Sequence, residues 1–185
     1  GKGAIKEIAP IAQSKGWKHI FVCSDPDLIK FGVTSKVTDL LDEAKIPYTV
    51  YSGIKPNPTI ENVVDGVESF KACGADSIIA IGGGSSMDCA KAAGARVVKP
   101  KQSVRAMRGQ LKVHKALPPF FAVPTTAGTG SETTVAAVVT DPETHEKNAI
   151  NDTCLRPKYA VLDPELTVGL PPHITSTTGM DALTH

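Results

Sequence analysis

The sequence predicts an α/β protein, a parallel sheet with helices on both faces, and three observations carry that expectation. The apolar runs Ile20-Phe21-Val22-Cys23, Ser77-Ile78-Ile79-Ala80-Ile81 and Phe120-Phe121-Ala122-Val123 lack a polar face, as strands buried on both sides do. Segments with apolar residues at helical spacing lie between the first runs. Clusters of Gly, Pro, Ser and Thr follow the runs, where the chain must turn.

Taken in order, Ile5, Ile8, Ala9 and Ala12 mark a first helix, and the strand at Ile20–Cys23 ends in Ser24-Asp25-Pro26. Val37, Leu40, Leu41 and Ala44 form the next stripe, followed by a strand at Tyr48-Thr49-Val50-Tyr51 with aromatic and β-branched content. Ile60, Val63, Val64, Val67 and Phe70 make a third amphipathic helix opened by Pro58-Thr59, before the strand at 77–81. A helix is expected from about Ser86 to Val97, a strand at Phe120–Val123, a β-rich excursion from Thr133 to Thr140 and a short strand at Ala160–Leu162. The stretch from Lys99 to Pro119, rich in Lys, Arg and Pro, reads as a long surface excursion. Pro171-Pro172 break the chain, and a helix is expected from Thr175 onward.

Composition narrows the classes of function. The 185 residues are 41% apolar and 21% charged, enough to bury one substantial core. Net charge is +1, from 20 basic and 19 acidic residues spread along the chain, so no sustained field attracts nucleic acid or anionic lipid. A small-molecule partner is expected, while assembly into a homo-oligomer stays open. No apolar run approaches the ~20 residues that cross a bilayer, and the first residues lack the layout of a secretory signal, so a cytoplasmic location is expected. Cys23, Cys73, Cys89 and Cys154 form no C-x-x-C pair and read as reduced, mostly buried thiols.

Four places carry candidate chemistry. Ile81-Gly82-Gly83-Gly84-Ser85-Ser86 joins a buried strand to a helix, where open α/β sheets bind ligands. Without Cβ atoms there, backbone N–H groups can approach a diphosphate at the positive end of the helix dipole. A ligand-free tight turn, with Ser85 as cap and Asp88 reaching back, is the alternative. Pro124-Thr125-Thr126-Ala127-Gly128-Thr129-Gly130-Ser131-Glu132 offers hydroxyls and pliable backbone after another strand; they suit phosphate or ribose oxygens, or simply cap their own turns. Asp25 ends the first strand, where a carboxylate can bind ribose hydroxyls and repel a 2′-phosphate, or can serve as an ordinary turn residue before Pro26. Asp181 and His185 stand at i, i+4, a spacing that lets two ligands on one helix face grip an ion and that also suits an exposed acid–His pair.

Together these stretches resemble the iron-containing alcohol dehydrogenase family, in particular its branch of lactaldehyde reductases and propanediol dehydrogenases. The resemblance rests on Ile79 to Ser85 with Asp88 and Ala90-Lys91, on Pro124 to Glu132, and on Gly179 to His185, in that order. It implies a Rossmann-like sheet in which Gly83, Gly84 and Ser85 hold the NAD diphosphate and Thr125, Thr126 and Thr129 line the nucleotide site. Asp25 would face the adenine ribose. Asn57, in Pro56-Asn57-Pro58-Thr59, falls on a motif near the nucleotide, and Lys147 on a lysine that contacts cofactor hydroxyls. Asp181 and His185 match the first two of four ligands to a divalent metal, Fe2+ or alternatively Zn2+.

The resemblance also implies a division into a dinucleotide-binding unit, residues 1–170, and the start of a helical metal-binding unit, residues 171–185. In the family a strand precedes the first unit, and a helical domain with two further histidine ligands follows. His19, His114, His145 and His173 match none of its motifs, so the sequence is expected to be part of a longer protein. The expected activity is NAD-dependent hydride transfer between an alcohol, primary or diol, and an aldehyde or ketone. A glycerol or polyol dehydrogenase, a dehydroquinate-synthase-like enzyme and a non-catalytic nucleotide-binding module are the alternatives.

Overall fold

The computed structural model describes residues 1–185. After a 3-10 turn at Ala4–Glu7 come α1 (Ile8–Lys15), β1 (Ile20–Ser24), α2 (Pro26–Lys30), α3 (Ser35–Glu43), β2 (Tyr48–Tyr51), α4 (Ile60–Ala72), β3 (Ser77–Gly82) and α5 (Gly84–Val98). Then follow β4 (Gly109–Gln110), β5 (Phe120–Pro124), β6 (Ala136–Thr140), β7 (Lys147–Asn151), β8 (Tyr159–Ala160) and α6 (Pro172–Thr184). The main sheet runs β2-β1-β3-β5-β8 with every neighbouring pair parallel. The chain moves from β1 outward to β2 and then crosses back to β3, which places the topological switch point between β1 and β3.

Because side chains alternate along a strand, each run feeds two cores. Ile20, Val22, Ile79, Ile81, Phe121 and Val123 pack with Ile8, Ala12, Val37 and Leu41 of α1 and α3. Phe21, Cys23, Ile78, Ala80, Phe120 and Ala122 pack on the other face with Val63, Val67 and Phe70 of α4 and with Met87 and Ala90 of α5. Burial of each large side chain contributes about 1.5–3 kcal/mol relative to exposure. The doubly covered sheet is the predicted one, and Thr59 opens α4 as expected, its hydroxyl accepting the Asn62 N–H at 3.2 Å.

Several boundaries differ from the sequence reading. The α5 helix starts at Gly84 rather than Ser86, and α6 at Pro172 rather than Thr175, since proline suits the first helical position, where no N–H partner is needed. The last strand is Tyr159–Ala160 rather than 160–162. The β7 strand, unforeseen in the sequence, carries polar residues along most of its length and turns only Asn148 and Ile150 inward. It pairs antiparallel with β6 and parallel with β4, forming a second, three-stranded sheet.

The stretch from Lys99 to Pro119 is not a plain surface excursion. Val104, Met107 and Val113 are buried in the larger core, beneath the second sheet. Asn148 Nδ2 donates to the Val104 carbonyl at 3.0 Å, and the buried Asp152 carboxylate accepts the N–H groups of Val113 at 3.0 Å, His114 at 2.9 Å and Cys154 at 3.2 Å.

Burial pushes the Asp152 carboxyl up, but the backbone donors of His114, Cys154 and Val113 outweigh it and hold the group at about 2. The folded value lies below the ordinary one, so this stabilisation is present above pH ~4 and is lost as the pH falls toward ~2. Asp152→Ala orphans three N–H groups and is expected to cost about 2 kcal/mol, lowering the melting temperature by roughly 6 °C at pH 7. Thermal unfolding should show this gap narrowing in acid; a gap equal at pH 7 and at pH ~3 would contradict the assignment.

Candidate nucleotide site at the carboxyl edge of the sheet

Each predicted nucleotide loop leaves the carboxyl end of a parallel strand, so all of them arrive at one edge. Asp25 follows β1, Asn57 lies between β2 and α4, Gly83 to Ser85 follow β3, and Thr125 to Thr129 follow β5. At the switch point Gly83 serves as the N-cap of α5 and, having no side chain, supplies no capping hydrogen bond. The first N–H groups of this 15-residue helix lack both a cap and, by helix geometry, an intrahelical partner. Ser85 lies inside the first turn and does not cap it. Asp88 does not reach back either; its carboxylate accepts the Ser131 hydroxyl at 2.6 Å and the Val138 N–H at 3.0 Å.

The threonine loop faces this helix end. Thr125, which is buried, donates its N–H to the Gly82 carbonyl at 3.0 Å and so ties the ends of β3 and β5 together. A Cβ on Gly83 would stand 3.5 Å from Thr126 Oγ1. One on Gly84 would stand 3.1 Å from Thr129 Cγ2 and 3.3 Å from its Oγ1, so a side chain there would fill the space between the loops. Ser85, Asn57 and Lys147 meet with Asp88 around a cavity of about 250 Å3. Asn57 reaches it from a left-handed backbone, φ 51°, a conformation that Asn tolerates better than most residues.

Asp25 is half-buried and caps α2, its Oδ1 accepting the Asp27 N–H at 2.7 Å, while Oδ2 makes no hydrogen bond within the chain. The turn role and a ligand role are therefore compatible: one oxygen fixes the carboxylate and the other remains an acceptor.

At the end of α6, Asp181 Oδ1 and Nε2 of the C-cap residue His185 are 3.3 Å apart, as i, i+4 spacing allows. A carboxylate and an imidazole are the donor types that borderline divalent ions accept. No third His, Cys, Asp or Glu joins them, and two donors alone do not make up the coordination shell of such an ion. No residue of α6 is buried. The helix approaches the threonine loop where a Cβ on Gly128 would lie 2.8 Å from the Thr178 carbonyl oxygen, which only glycine permits. That contact sets α6, which carries Asp181, beside the threonine loop.

A larger cavity, about 850 Å3, lies elsewhere. Its walls, His114 to Phe120 and Asp152 to Lys158, belong to segments entering the amino ends of β5 and β8, opposite the edge with the glycine and threonine loops.

A Rossmann-like α/β fold whose glycine and threonine loops meet at the carboxyl edge of the sheet defines the class. Residues 1–164 match the model of the iron-containing alcohol dehydrogenases, and the chain belongs to that family. It is 39% identical over 186 aligned residues to lactaldehyde reductase of Escherichia coli, covering all of this chain and 49% of that protein. It superposes on a crystal structure of 1,3-propanediol oxidoreductase with TM-score 0.94 and 37% identity, covering 100% of this chain and 48% of the other. Sulfoacetaldehyde reductase from Bifidobacterium kashiwanohense, solved in complex with NAD+, superposes with TM-score 0.84 and 35% identity, over 98% of this chain and 48% of that one. The chain thus spans about half the length of the relatives it matches. No helix is long and apolar enough to cross a membrane.

Proposed function

We propose that the carboxyl edge of the main sheet binds NAD, and that the complete protein is a metal-dependent alcohol dehydrogenase interconverting a primary alcohol or diol with its carbonyl product. The observation that carries this reading is the uncapped N-terminus of α5 at the β1/β3 switch point, facing the threonine loop across a gap that a Cβ on Gly84 would fill. Residues 1–170 act as the nucleotide-binding unit, and residues 171–185 open the metal-binding unit.

The N–H groups of Gly84 and Ser85 receive the diphosphate oxygens, and the α5 dipole favours their charge. Thr125, Thr126 and Thr129 lie on the loop after β5 that faces this helix end, and Asn57 and Lys147 stand with Ser85 around the small cavity beside it. Asp25 accepts ribose hydroxyls through Oδ2 and repels a 2′-phosphate, which selects NAD over NADP. Asp181 and His185 contribute two donors to a divalent ion, Fe2+ or Zn2+. When bound, the ion supplies Lewis acidity toward the substrate oxygen, and NAD accepts or gives the hydride. The Gly128–Thr178 contact keeps these two donors beside the nucleotide loop. The sulfoacetaldehyde reductase complex with NAD+ supports the choice of cofactor.

Steady-state kinetics of the complete protein on primary alcohols, diols and glycerol, with NAD and with NADP, test the proposal. Asp25→Ala is expected to shrink the preference for NAD over NADP by at least about tenfold, because the repelling carboxylate is gone. An unchanged preference would remove Asp25 from the site. Turnover of glycerol alone would indicate a polyol dehydrogenase, and NAD binding without metal-dependent turnover a binding module.

A further inference from the structure

We propose that Lys91 is a positioning residue for the nucleotide site, fastening the segment Ser131–Ala136, and through it Thr129, to the helix whose N-terminus faces the same cleft. The proposal rests on the NAD reading above.

Lys91 lies on α5 and is fully buried, with no carboxylate within ion-pair distance. Its Nζ donates to backbone carbonyls instead: Ser131 O at 2.6 Å, Thr134 O at 3.1 Å and Ala136 O at 3.1 Å, with Thr134 Oγ1 at 3.0 Å. An ammonium has three protons, and here carbonyl and hydroxyl oxygens alone satisfy them. Burial pulls its pKa down to about 8, against the opposing pull of Asp88 and Glu132. A buried cation without a bonded carboxylate is unfavourable compared with an apolar side chain of the same length, so filling the core does not explain it. What it supplies is three-point attachment of a segment that precedes β6 and has no regular structure between Ser131 and Val135.

One turn earlier on the same helix, Asp88 holds the Ser131 hydroxyl and the Val138 N–H. The two side chains therefore grip one segment, donor and acceptor together. From there the attachment passes to the cleft: the Ser131 N–H donates to Thr129 Oγ1 at 3.3 Å, and the Thr129 side chain lies beside Gly84 at the start of α5. With the Lys91 ammonium gone, the loop keeps its sequence but loses its fixed distance from the helix end. Nucleotide binding then has to order it first.

The test uses the complete protein and the variants Lys91→Met, Thr134→Val and, as a core control, Val67→Ala on α4. Readouts are melting temperature, KM for NAD, kcat at saturating NAD and alcohol, and amide hydrogen exchange over residues 129–136. Lys91→Met is expected to raise KM for NAD at least about tenfold with kcat within about threefold of wild type, because binding rather than chemistry is weakened. Exchange over 129–136 should quicken in the absence of nucleotide and slow again at saturating NAD. Thr134→Val, which removes one acceptor and folds even where Lys91→Met does not, should move KM and exchange the same way by about threefold. Val67→Ala should lower the melting temperature and leave KM alone. An unchanged KM in folded Lys91→Met, an unchanged KM and exchange in Thr134→Val, or an equal rise in Val67→Ala would overturn the proposal. A wild-type protein that does not bind NAD would instead overturn the underlying reading, and exchange over 129–136 would still report the Lys91 attachment.

Discussion

Gly84→Val is expected to weaken NAD binding at least about 100-fold, roughly 3 kcal/mol, while leaving the sheet folded. The position is the first residue of α5 and its backbone is not left-handed, so the helix itself accommodates a side chain. The space outside it does not. The first added carbon would already stand 3.1–3.4 Å from three side-chain atoms of Thr129, tighter than ordinary packing, and the two γ-methyls would extend into the gap between the loops. A diphosphate must come within hydrogen-bond distance of the N–H groups at this helix end, and a branched side chain there holds it off. Titration of NAD into the variant, with circular dichroism as the check on folding, separates a blocked cradle from an unfolded chain. Retained affinity would mean that the glycine serves only the turn.

Asp181→Ala and His185→Ala, each in the complete protein, are expected to reduce turnover by more than about 100-fold. Loss of a group that merely orients a metal ligand commonly costs 10–100-fold, and loss of a ligand itself should exceed that. NAD affinity should stay within about threefold of wild type, since α6 meets the threonine loop through Gly128 and Thr178 rather than through these side chains. Residues 1–185 alone are expected to show no alcohol oxidation with added Fe2+ or Zn2+, because two donors on a helix with no buried residue do not fix an ion. Metal content by elemental analysis, together with steady-state rates, checks both expectations. Normal turnover by either variant would remove that residue from the metal site.

How far the sequence could be read followed from the physics of each segment. The strands at 20–24, 77–82 and 120–124 are apolar on both faces, so burial alone reveals them, and their order gives the doubly covered sheet. The Lys147–Asn151 strand escaped because only Asn148 and Ile150 point inward, and neither alternation nor composition separates it from a polar loop. The stretch from Lys99 to Pro119 misled because its charges outnumber Val104, Met107 and Val113, the three residues that anchor it.

Within the candidate site, the glycine and threonine loops were visible as unusual composition after buried strands. Their convergence was a matter of topology. Asp88 looked like a local cap and instead holds Ser131 and Val138, more than forty residues away, a partnership that no local spacing encodes. Lys91 read only as part of a family motif, since a lysine among alanines on a helix gives no sign that its head group will meet three carbonyls.

The measurement that bears most directly on the central claim is a backbone amide NMR titration of 15N-labelled residues 1–185 with NAD. Binding at the switch point predicts the largest shift changes at Gly83 to Ser86 and Thr125 to Thr129, with smaller ones at Asp25 and Asn57. Changes concentrated instead at His114 to Phe120 and Thr153 to Lys158, around the large cavity at the opposite edge, would contradict it, as would a spectrum that NAD leaves unchanged.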